Sequence, residues 1–142
     1  MTKFYIDESK YIKYQKLIKT PTSPFYKKKM KDVFVIAAAI GYYFNNRFPL
    51  KKRREVASIE VFTNDEKWIM YSIAVATTNK LEIILDMQEV LRIVEEYANA
   101  GIDYLYDLIF GKQILDPEVS LKELDIEISK IAKSILKWWE FS

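Results

Sequence analysis

The sequence predicts an all-α fold: a compact bundle of five or six helices around a buried central helix, with at most a short β-hairpin. Three observations predict it. The chain has 142 residues but only three glycines and four prolines, too few turn formers for a many-stranded sheet. Val33–Phe44 is a run of twelve uncharged residues, which suits a helix buried on most of its circumference. Apolar residues then recur at helical spacing from Val90 to Ile109 and again from Leu121 to Trp138. The central run falls short of the roughly 20 apolar residues that cross a bilayer, so no membrane is expected.

Taken in order, Asp7–Lys19 is expected to be a short helix with Tyr11, Tyr14, Leu17 and Ile18 on one side. The prolines at 21 and 24 stop it, since residues before proline avoid the helical region. Ser23-Pro24 then reads as the N-cap and first residue of the central helix, running to about Asn45. Asn45–Pro49 is a loop. Glu55–Phe62 is ambiguous. Its apolar residues at 56, 59 and 62 recur as on a helix, the favoured reading, yet Val56–Val61 is also a tolerable strand. Asn64 is expected to cap a helix over 65–77. Leu81–Leu85 can pair as a short strand or start the next helix. Asp86-Met87-Gln88-Glu89 has the pattern of a capping box and opens a long helix that Gly111 closes. Within it Gly101 predicts a kink, or a close crossing with the alanine-rich central helix. Asp116-Pro117 restarts the chain. The stripe from Leu121 to Trp139 is wider than a coiled-coil seam, which favours packing within its own chain. One domain over 1–142 is expected, with turns at 20–25 and 112–120.

The composition excludes much chemistry. There is no cysteine and no histidine, so disulfides, thiolate nucleophiles, Ser-His-Asp triads and His or Cys metal sites are all ruled out. A chain without cysteine fits a reducing compartment, and the cytoplasm is the expectation. The glycines at 41, 101 and 111 form no phosphate loop. The carboxylate pairs Glu82/Asp86 and Asp103/Asp107 lie one turn apart but lack substrate-orienting neighbours, and read as solvated helix surface. No catalytic residue, metal or cofactor is predicted, and the chain is not expected to be an enzyme.

Charge is the more informative feature. Residues 1–54 carry 14 Lys/Arg against 3 Asp/Glu, a net +11, and residues 55–142 carry 8 against 17, a net −9. Either the basic half meets an anionic partner or the halves neutralise each other within the fold. Candidate nucleic-acid contacts are Lys27, Lys28, Lys29 and Lys31 in the first turns of the central helix, and Arg47, Lys51, Lys52, Arg53 and Arg54 beyond its other end. Lysine in a first turn opposes the helix dipole, a broken local rule that can indicate a phosphate partner. Nearby Phe25, Tyr26, Tyr42, Tyr43 and Phe48 could stack on bases.

Several segments together carry a resemblance. Asp32–Gly41 is followed by "NNRFPLKKR", then by Ser72–Asp86 and by Val94–Ile109 with its Glu-Glu-Tyr-Ala-Asn-x-Gly block. In this order, over about 26–110, the chain resembles the small accessory proteins of DNA phosphorothioation gene clusters, the dnd system-associated protein four family. The lysine-rich N-terminal helix and the C-terminal heptad helix stand outside the resemblance. It implies association with systems that restrict DNA lacking a sulfur-modified backbone. It also implies an accessory or adaptor role on a larger DNA-processing protein, with direct nucleic-acid binding as the alternative. It brings no catalytic residues with it.

Overall fold

A computed structural model describes residues 2–111, which are mostly helical with one small sheet. Strand β1 (Lys3–Asp7) leads through a 3-10 turn into helix α1 (Tyr11–Lys19). Helix α2 (Met30–Tyr43) follows, then strand β2 (Arg53–Ser58), helix α3 (Asn64–Thr78), a 3-10 turn over Leu81–Leu85 and the long helix α4 (Met87–Phe110). The C-terminal helix expected after Asp116, and the turn at 112–120, lie outside the described residues.

The spine is α2 packed antiparallel on α4, and two glycines set its closeness. A Cβ on Gly101 would lie 1.7 Å from the Ala37 carbonyl oxygen, and one on Gly41 would lie 2.1 Å from that of Tyr97. Main chain therefore touches main chain at two points four residues apart on each helix. The close crossing expected at Gly101 is present. Val33, Phe34, Ala37 and Ala38 of α2 are fully buried, as are Val90, Val94, Ile102 and Leu105 of α4. Helix α3 begins with a reciprocal capping box. Thr63 Oγ1 accepts the Glu66 N–H at 3.1 Å and Glu66 Oε1 accepts the Thr63 N–H at 2.8 Å. Its cap is thus Thr63 rather than Asn64. The helix ends at Asn79 in the left-handed conformation, φ 58°.

Three expectations need correction. First, 53–58 is a strand, and its partner is 3–7, not 81–85. The antiparallel register runs from Lys3↔Ser58 to Asp7↔Arg53, with a bulge between Phe4 and Tyr5. Phe4, fully buried, packs at a tilt against Phe34 at 4.7 Å and Phe62 at 4.8 Å between ring centroids. That aromatic cluster gives the strand pairing its apolar anchor, a contact with no local signal in the sequence. Second, Asp7 ends the strand and caps the turn that precedes α1, so the first helix is shorter than expected. Third, α2 does not start at Ser23-Pro24. The Ser23 hydroxyl accepts the Phe25 N–H at 3.1 Å in a turn, Lys27 is left-handed at φ 65°, and the helix begins at Met30. The predicted turn at 20–25 therefore extends to Lys29.

Candidate interaction surface

The block Glu95–Gly101 of α4 is a docking rail for the rest of the chain. Glu95 is only 2% exposed. It accepts the Tyr5 N–H at 2.8 Å and pairs with Arg53 Nη2 at 3.2 Å, tying both strands to α4. Burial pushes its carboxyl up to about 7, against the pull of the Tyr5 N–H and the Arg53 guanidinium. Glu96 pairs with Arg47 at 3.2 Å and with Arg92 at 3.1 Å. Tyr97 meets Tyr42 edge to face and shares a hydrogen bond with Thr77 at 2.9 Å. Asn99 Nδ2 donates to the carbonyls of Phe48 and Pro49 at 3.0 and 3.2 Å.

These contacts hold residues 44–52 as a strap laid across α4. The strap's own groups complete the attachment. Asn46 Nδ2 donates to Tyr104 Oη at 2.5 Å, and the Phe48 N–H donates to the Glu96 carbonyl at 3.1 Å. At the far end Asp7 Oδ1 accepts the N–H groups of Lys51 and Lys52 at 2.6 and 3.1 Å. Burial pushes the Asp7 carboxyl up, but the Ser9 hydroxyl and the Lys52, Lys51 and Ser9 N–H groups outweigh it and hold the carboxyl down at about 2.

The nine candidate cations separate into two kinds. Arg47, Arg53, Arg54 and Lys31 are paired within the fold. Arg54 meets Glu8 at 2.9 Å and lies 3.5 Å over the Tyr11 ring, while Arg53 lies 4.4 Å over Tyr5. Lys31 bridges Glu66 at 2.7 Å and Asp32 at 3.0 Å. Lys27, Lys28, Lys29, Lys51 and Lys52 are exposed. Of these, Lys27–Lys29 precede α2 rather than occupy its first turn. The conflict with the helix dipole that singled them out is therefore absent there; Asp32, in that first turn, accepts the Lys29 N–H at 2.9 Å. Lys31 remains in the turn with its charge met by two carboxylates. Of the aromatics considered for stacking, Phe25 is buried, while Tyr26, Tyr43 and Phe48 are exposed. Asp103, one member of a carboxylate pair, is held by Lys10 and Lys13 at 2.6 and 2.7 Å. No group of carboxylates suited to a metal ion occurs among the described residues.

Sequence reasoning named Tyr43 and Phe48 but missed Phe44 and Tyr104, which complete the exposed aromatic group beside the strap. Phe44 stacks on Tyr104 at 4.7 Å and meets Tyr43 edge-on at 5.1 Å. All three are more than 40% exposed, and Phe48, four residues along the strap from Phe44, is 55% exposed. The signal available was the aromatic run at 42–44 ending in Asn-Asn, which marks a helix end and so a place where apolar side chains leave the core.

The arrangement defines a small helical scaffold with a pinned, outward-facing loop. It belongs to the small, mostly helical proteins in which a loop is held on a long helix by side-chain hydrogen bonds and ion pairs. The chain belongs to the family described as DNA sulphur modification system-associated protein 4, which matches residues 4–129. The match takes in the N-terminal strand and helix and extends beyond Asp116, a wider span than the motifs alone indicate. No curated protein and no solved structure gives a significant match. No helix among the described residues is long and apolar enough to cross a membrane.

Proposed function

We propose that this protein is a non-catalytic adaptor of the DNA sulphur modification system, docking on a larger DNA-processing protein of that system. One observation carries the reading: the arginines of the basic half are committed to internal ion pairs. Arg47, Arg53 and Arg54 meet Glu96, Glu95 and Glu8, so the strongest phosphate-binding side chains are engaged in tying the strap and sheet to α4 and to the turn before α1. The family supplies the context, an accessory of a DNA sulphur modification system. The test is to co-express the chain with each protein of the system and measure co-elution and affinity. Stoichiometric, saturable binding to one larger protein is expected; failure to bind any of them overturns the reading.

A second reading is direct nucleic-acid binding through Lys27, Lys28, Lys29, Lys51 and Lys52, the exposed candidate cations that form no ion pair among the described residues. It requires affinity for duplex DNA that falls with salt, by about 0.9 in the log–log slope for each phosphate neutralised. Replacing Lys51 and Lys52 by alanine would then flatten the slope by roughly 2, equally on unrelated sequences. A parent protein with no measurable salt-dependent affinity removes this reading.

A further inference from the structure

We infer that the outer face of the strap, centred on Phe48 with Phe44 and Tyr104 beside it and rimmed by Lys51 and Lys52, docks a short acidic segment of a protein partner that carries an apolar side chain. The inference rests on the adaptor reading and names the surface through which it would act.

Three features point to this occupant. The first is composition. Tyr43, Phe44, Phe48 and Tyr104 are large aromatics left exposed, Phe44 touches both Tyr43 and Tyr104, and such residues are enriched in the energetic centres of protein interfaces. The second is size. Aromatic side chains bury about 150–250 Å² each when covered. Four that are about half exposed therefore offer roughly 300–500 Å², the scale of a functional patch. That is below the ~800 Å² per partner of a standard interface between globular faces, so it fits a linear segment. The third is charge. Lys51 and Lys52 have no acidic partner among the described residues, while their N–H groups are fixed on Asp7. Two lysines with fixed main chain at the edge of an apolar patch select an acidic segment.

The same features disfavour single-stranded nucleic acid as occupant. One face of the Phe44 ring is covered by Tyr104, at an interplanar angle of 20°. The arginines that would extend the lysine pair into a backbone track are already paired with carboxylates of the fold. The strap is also rigid for a loop. Asn99 holds two of its carbonyls and Asp7 two of its N–H groups, which lowers the ordering cost of binding.

The test uses the full chain with a photo-crosslinking phenylalanine analogue at position 48. It is mixed in turn with each purified protein of the sulphur modification system and with a thymidine 30-mer. Light-induced crosslinks are mapped to peptides. In parallel, the affinities of Phe48→Ala and of Lys51→Glu with Lys52→Glu are measured by calorimetry, and thermal melts verify folding. The expected result is a crosslink within an acidic segment of one system protein. Each variant should also lose at least about tenfold in affinity while melting like the parent. A system protein that binds parent and variants equally, with no crosslink from position 48, leaves the adaptor reading standing and overturns this surface. Binding to no system protein overturns both. Crosslinking to the 30-mer, or to a second copy of the chain, overturns the acidic-segment occupant.

Discussion

Single residues decide whether the spine and rail exist. Gly101 has no room for a methyl group, because the clash is with the Ala37 carbonyl, which is helix backbone and cannot rotate away. Gly101→Ala is therefore expected to destabilise by more than about 3 kcal/mol despite alanine's better helix propensity; urea unfolding measures it, and a variant as stable as the parent would refute the crossing. Ala38, fully buried on α2, should show the milder form of the same effect, with Ala38→Leu costing about 1–3 kcal/mol through overpacking. Glu95 makes a different demand. Its carboxyl is pushed from 4.5 up to about 7 in the folded chain, so the folded state holds a proton that the unfolded state has released between those values. The stabilisation is complete below about pH 4.5 and is lost as pH rises through 7, on the order of 3 kcal/mol. Asp7 acts in the opposite sense. Its contribution is present above pH 3.8 and is lost as pH falls through about 2. Melting temperature should thus fall between pH 5 and pH 8. In Glu95→Gln that slope should flatten, because the glutamine carries no titrating proton; an unchanged slope would place the pH dependence elsewhere.

At the scale of elements, the four-residue run Lys51–Arg54 splits in two. Lys51→Ala with Lys52→Ala should change stability by no more than about 0.5 kcal/mol, as exposed substitutions usually do. Above pH 7, where Glu95 is ionised, Arg53→Ala should cost about 1–3 kcal/mol, because it leaves the buried carboxylate without its guanidinium. Denaturant midpoints for the two variants separate these roles, and equal losses would contradict the division. The helices were legible because each carries a complete local signal: the capping pattern at Asp86, the apolar spacing of α4 and the uncharged centre of α2. The strand over 53–58 was not. It is a β-strand because Phe4, Phe34 and Phe62 meet in space and because Glu95 receives the Tyr5 N–H, and those partners lie far apart in the sequence. The start of α2 was misplaced for a related reason. Ser23-Pro24 is a good start signal, but the left-handed Lys27 interrupts the chain before the helix can begin.

For the whole molecule, the charge asymmetry proved partly internal. Lys10, Lys13, Arg47 and Arg53 from the basic half meet Asp103, Glu96 and Glu95 of the acidic half. Net charge by halves pointed to an anionic partner, and only pairing in space distinguishes the cations still exposed, chiefly lysines, from those already matched. The Glu-Glu-Tyr-Ala-Asn-x-Gly block, the best of the family motifs, is also where the strap, the sheet and α2 converge on α4. That convergence has a consequence for how the chain is made. Strand β1 leaves the ribosome before α4, and the carboxylate that receives its Tyr5 N–H lies 90 residues later, while the amide that grips the strap lies 50 and 51 residues beyond the carbonyls it holds. A nascent chain ending before Glu95 has both strands and their aromatic anchor but lacks the carboxylate and the amide that tie sheet and strap to α4. Proteolysis of ribosome-bound chains should therefore cut 44–52 readily until the whole of α4 has left the exit tunnel, and protection should then arrive in a single step.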